Sequence, residues 1–162
     1  MTDTSGHDPR HDFDFLFGHW QVRHCRLKER LAGCTEWIEF DGDSRAWPML
    51  DGAGNADEAF IDLPAGAYRG ATLRAFDAKT RTWAIWWLDS RDPHFIGVPM
   101  IGAFERGVGT FVCDEIFRDK PIQVRFIWTA TNPDAPQWAQ AFSPDGGQTW
   151  ETNWVMRFTR AV

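Results

Sequence analysis

A succession of short segments, each alternating apolar and polar residues and each ended by a turn rich in Gly, Pro, Asn or Asp, constrains this chain more than any other feature. The clearest pair covers residues 68–76 and 82–90, joined by Asp77-Ala78-Lys79-Thr80-Arg81, a polar connection of hairpin length. The same reading gives strands over 20–31, 37–45, 57–63, 101–105, 110–117, 122–131, 137–142 and 150–159, so about nine to ten in all. Two longer irregular loops are expected at 44–55 and 91–99, where Pro and Gly cluster. No stretch keeps a helical period long enough to cross between parallel strands, which excludes a wound α/β sheet.

The expected fold is therefore all-β: an antiparallel up-and-down meander closed into a barrel, with a two-layer β-sandwich as the alternative. Closure removes the two sticky edges of an open sheet. With 162 residues, the chain has the usual size of one domain. It divides into a flexible polar tail over 1–12 and a single barrel domain over 13–162, opened by a short turn at Asp12–Gly18 that plugs one end. Ten Trp and thirteen Phe against one Tyr supply more flat apolar area than an ordinary surface can carry, so most must lie in a core or line a cavity.

A net charge of −6 without clustered Lys or Arg argues against a nucleic-acid or anionic-membrane surface. The N-terminus has no apolar segment of signal-peptide type, and Cys25, Cys34 and Cys113 are an odd number without metal or redox spacing. These features predict reduced thiols and a cytoplasmic location. His7 and His11 are spaced for a metal only on a helix that Pro9 forbids, so no metal site is expected. His94 is the one candidate proximal ligand if the cavity were to take haem, and no other cofactor is expected.

Because alternate residues of a strand share a face, the interior follows from parity. Trp20, Val22, His24 and Arg26 share one face of the first strand. Trp83, Ile85, Trp87, Asp89 and Arg91 share another, Trp128 goes with Phe126, and Trp138 with Gln140 and Phe142. Faces that begin apolar and become charged toward one end suit a dry floor and a polar upper cavity. Trp37, Arg69, Arg74, Arg125 and Trp154 complete the candidate ligand-binding residues, with Trp47 and Trp86 as further wall candidates. Taken singly, each charged residue reads better as an exposed or internally satisfied salt bridge than as a ligand-binding group.

Gly18-His19-Trp20 resembles the Gly-x-Trp signature that opens lipocalin-type barrels. That resemblance implies a Trp closing the floor and a basic residue of the last strand, Arg157 or Arg160, lying across it. The wider run Phe15-Leu16-Phe17-Gly18-His19-Trp20 resembles an uncharacterised group of bacterial calycin-like proteins. Leu27-Lys28-Glu29-Arg30-Leu31-Ala32-Gly33, Trp37-Ile38-Glu39-Phe40 and Tyr68-Arg69-Gly70-Ala71-Thr72-Leu73-Arg74 extend that likeness, which implies a barrel and assigns no chemistry. Ser143-Pro144-Asp145-Gly146-Gly147-Gln148-Thr149-Trp150 resembles the Asp box of sialidase propellers, but a single copy implies only a shaped turn.

Three functions follow. The first is binding of a small hydrophobic or aromatic molecule with a polar or anionic group, its mouth formed by the loops at 44–55 and 91–99. The second is acid/base catalysis (isomerase, cyclase or hydrolase) in the same cavity, with His24 as base oriented by Asp89 or Glu115. The third is a filled, ligand-free interaction module. Besides a small molecule, the expected partner is a second copy, in a homodimer paired through an exposed apolar patch.

Overall fold

A computed structural model describes residues 6–162. Eleven strands form one antiparallel sheet: β1 (Gly18–Leu27), β2 (Trp37–Met49), β3 (Gly54–Ile61), β4 (Tyr68–Asp77), β5 (Thr82–Asp89), β6 (Asp92–Ile96), β7 (Met100–Glu105), β8 (Val108–Phe117), β9 (Lys120–Thr129), β10 (Gln137–Ser143) and β11 (Glu151–Arg160). Their order is β4-β3-β2-β1-β11-β10-β9-β8-β7-β5-β6, and β4 also pairs with β5. That pairing runs from Gly70 opposite Asp89 to Asp77 opposite Thr82 and closes ten strands into a barrel, which sets aside the sandwich. β6 hangs from β5 as an extra strand, pairing at Leu88–Ile96 and Asp89–Asp92.

The two irregular loops need correction. β2 continues through Arg45, Ala46 and Trp47 to Met49, so the loop expected at 44–55 shrinks to a short turn, Leu50–Gly52, before β3. Pro48 misled the reading, but it sits at the strand's end opposite Asn55, where one missing donor costs little. In the segment 91–99, five residues form β6 and only the rest is loop.

Of the segment 1–12, residues 1–5 lie outside the described ones. Pro9–His11 forms a 3-10 turn capped by Asp8, whose carboxylate accepts from Arg10 N at 3.0 Å. Trp83 Nε1 donates to Pro9 O at 3.2 Å, which ties this turn to the barrel. The plug is a second 3-10 turn, Asp14–Leu16, and its flanking Phe13 is fully buried. Phe13 meets Trp83 and Phe104 edge-on at 5.0 and 4.9 Å, and Trp20 Nε1 donates to Leu16 O at 2.8 Å. Arg160, rather than Arg157, lies 3.8 Å from the Trp20 ring and donates to the carbonyls of Phe15 and Phe17. One cation thus holds the plug to the first and last strands.

The Asp-box residues form the turn their pattern implies. Asp145 accepts from Ser143 Oγ at 2.9 Å and from Thr149 N at 2.8 Å, and Ser143 Oγ accepts from Gly147 N at 2.8 Å. Gly146 and Gly147 supply positive φ values of 73° and 88°. On the barrel exterior, Trp47, Leu73 and Ile101 are exposed apolar side chains.

Candidate functional site

Parity along the strands places the interior. On β1, Trp20, Val22 and His24 are buried and Arg26 half-buried, as the alternation requires. The plug closes the end where β1 starts, and the barrel opens where β1 ends. Between them lies a cavity of about 340 Å³, at the small end of the range for ligand sites. Of the candidate binding residues, His24, Arg26, Arg74, Trp87, Asp89, Trp128, Trp138, Gln140 and Trp154 line it, as does Glu115.

Trp37, Arg69 and Arg125 do not. Arg69 has the opposite parity to Arg74 on β4; it pairs outside with Glu58 at 3.3 Å. Arg125 has the opposite parity to Phe126 and Trp128 and lies 4.2 Å from the Trp150 ring. Trp37 is 42% exposed at the start of β2, and Trp47 and Trp86 are likewise absent from the cavity wall. Of the two loops expected at the mouth, the one at 91–99 is there, contributing Phe95, Gly97 and Val98. The turn after β2 sits instead at the plugged end, because β2 starts opposite Leu27 and runs back past Gly18.

His24 is not the base of a carboxylate-oriented pair. Its Nδ1 accepts from Trp154 Nε1 at 3.1 Å, and an indole N–H can only donate, so the imidazole is neutral with its proton on Nε2. The ring stacks on Phe40 at 4.7 Å and is 2% exposed. Burial, reinforced by Arg26 nearby, lowers its pKa to about 4. Asp89 is engaged elsewhere: it accepts from Arg91 Nη2 at 2.7 Å, and that bond holds its carboxyl below the usual range. Glu115 has no hydrogen-bond partner among the described residues, and burial raises its pKa. The lone pair a base needs on Nδ1 is already taken.

The mouth carries cations that parity reasoning only partly found. Arg26 has no carboxylate partner among the described residues and stacks on Trp154 at 4.8 Å. Arg30, beyond the end of β1, reaches back over Phe117 and Phe142 at 5.3 and 5.8 Å, also without a carboxylate. Its loop is pinned by Leu31 N donating to Glu151 Oε1 at 2.8 Å. Burial, with Arg26 and Arg118 as neighbouring like charges, lowers the Arg30 pKa to about 10. Arg91 lies 3.5 Å from the ring of buried Tyr68, whose hydroxyl pKa burial raises. Tyr68 was legible, since it shares its parity with Arg74 on β4; Arg30 lies beyond the end of β1, where parity no longer places a side chain.

Near the floor stands a polar cluster. Arg74 donates to Asn55 Oδ1 at 2.9 Å and to Asp57 Oδ2 at 2.5 Å, and its guanidinium faces Phe13 at 5.0 Å. Buried Ser44 and Thr72 line the same end of the cavity. Among the described residues, no cluster of His, Cys, Asp or Glu could hold a metal ion. His94 is exposed on β6 and does not line the cavity, so it is not placed as a haem ligand. Among the described residues, no helix is long and apolar enough to cross a membrane.

The sequence matches no known protein family and no curated protein. Among solved structures, the S-type phycobiliprotein lyase CPES from Guillardia theta has a similar fold, with a TM-score of 0.62 over 93% of this chain and 90% of that one. At 11% identity, the likeness is one of fold: a closed antiparallel barrel.

Proposed function

We propose that the barrel binds a small, largely apolar molecule through one anionic group. The observation that carries this reading is the pair Arg26 and Arg30, half-buried at the mouth of an aromatic cavity with no carboxylate among the described residues to neutralise either. A half-buried guanidinium without a counter-charge is costly to keep, and a ligand carboxylate, sulfonate or phosphate would offset that cost by charge-assisted hydrogen bonds. Trp138 and Trp154, crossed edge-on at 5.5 Å, supply a flat apolar wall beneath that group. An unfilled cavity also weighs against a packed interaction module, and the occupied Nδ1 of His24 weighs against acid/base catalysis.

Two fluorescent probes with the same rings test this: anilinonaphthalene sulfonate, which is anionic, and phenylnaphthylamine, which is not. The wild type should prefer the sulfonate. Arg26→Met combined with Arg30→Met should weaken the sulfonate by at least about tenfold, the value of one charged hydrogen bond, and leave the amine unchanged. Equal affinity for both probes in the wild type, or equal losses in the variant, would overturn the assignment.

A further inference from the structure

We infer that the ligand carries a second polar group, a hydroxyl, at its far end, received at the barrel floor by Arg74, Asp57 and Thr72. The inference rests on the proposed anion-binding mouth and deepens it from a one-ended to a two-ended ligand.

Donors and acceptors at the floor do not balance. A guanidinium has five N–H donors, and Arg74 uses two of them, on Asn55 and Asp57. Its Nε has no partner among the described residues but is itself sealed off, so the donors left for a ligand are the remaining hydrogens of Nη1 and Nη2, on a side chain only 3% exposed. Asp57 accepts from Arg74 through Oδ2 and keeps Oδ1 for a further donor. A buried group that leaves hydrogen bonds unmade is expensive, so this cluster calls for a partner the protein does not itself provide. An alcohol supplies what is missing, since its oxygen accepts from the guanidinium while its hydrogen goes to the carboxylate. Thr72 and Ser44, both buried and both lining the cavity, add hydroxyls at the same level.

The same cavity also reaches Arg26 and Tyr68 at the mouth, so the strand gives a ruler. From the level of Tyr68 to that of Thr72, β4 advances four residues, roughly 13 Å along the strand, and strand tilt shortens this to about 10 Å along the barrel axis. Ile61, Phe126 and Met156 are apolar parts of the cavity wall and offer no hydrogen bond from their side chains, while the polar His24 and Gln140 beside them are already bonded to Trp154 and Asn153. The ligand class is therefore an elongated hydroxy acid with an apolar body of about that length.

Decanoate and ω-hydroxydecanoate differ only at the far end, and titration calorimetry on the whole chain compares them. The hydroxy acid should bind about tenfold more tightly, as expected for one satisfied buried donor. Thr72→Val and Arg74→Lys should each reduce that ratio toward one. If Arg74→Lys does not fold because Asp57 loses its geometry, Thr72→Val carries the test alone. Decanoate binding as tightly as the hydroxy acid, or a ratio that survives the folded floor variants, would overturn the inference. The mouth fails separately, if Arg26→Met with Arg30→Met leaves both acids unweakened. If neither acid binds the wild type, both readings fall.

Discussion

Mild acid should destabilise this barrel through His24, and replacing that one residue should remove the effect. Its imidazole is held at about 4 against an ordinary 6.5, first by burial and then by Arg26 and Arg23, with Asp41 opposing. Because the folded value lies below the unfolded one, the unfolded chain takes up a proton between them that the folded chain refuses. The contribution of the neutral ring is complete above 6.5 and is lost as the pH falls through 4. The full difference amounts to about 3 kcal/mol, of which about 2 kcal/mol is lost between about pH 7 and pH 5. Protonation has a structural reason to be refused, since Nδ1 would lose its lone pair and leave the Trp154 indole N–H without an acceptor. Urea unfolding followed by Trp emission at those two pH values, in the wild type and in His24→Phe, isolates the term. The variant also leaves the indole unpaired, a cost of about 1–3 kcal/mol that is the same at both pH values, so the change with pH is the readout. The wild type should lose about 2 kcal/mol more than the variant. Parallel losses would mean that His24 titrates as a solvated imidazole, and the burial of its ring against Phe40 would then be refuted.

Arg26→Leu with Arg30→Leu should stabilise the ligand-free protein by about 1 kcal/mol, raising Tm by about 2–4 °C in calorimetry, because two half-buried charges without counter-charges are removed. Arg160→Ala should cost about 1 kcal/mol in thermal unfolding by freeing the plug from Trp20 and from the carbonyls it satisfies. Gly70→Ala should drive the Trp87 ring from its seat, since an added Cβ would fall 1.9 Å from that ring; a stability loss of about 1–3 kcal/mol and a shifted Trp emission report it. Asp145→Ala should leave the barrel folded but open the 143–150 turn to limited proteolysis, as Thr149 and Ser143 lose their shared acceptor.

What the sequence made legible and what it did not divide along one physical line. Parity is a local property of a strand, and it placed His24, Arg26, Trp87, Asp89, Trp128 and Trp138 on the cavity wall. The same rule, applied strictly, excludes Arg69 once Arg74 is interior and Arg125 once Phe126 is; their inclusion came from charge alone. Which end of the barrel a turn occupies is a non-local property, fixed by how far β2 runs before it reverses. The Pro48 that suggested a break sits where a strand tolerates it, so the turn after Met49 joined the floor rather than the mouth. The pairing of charges lay further out of reach. Asp89 shares a face with His24's wall in any closed barrel, yet Arg91, two residues on, captures it at 2.7 Å. Such a neighbour starts close and loses little entropy in forming the contact, whereas a partner across the lumen must be brought there by the whole fold. Arg26 and Arg30 have no such neighbour, and that difference, rather than their charge, makes them the groups to which a ligand has something to offer.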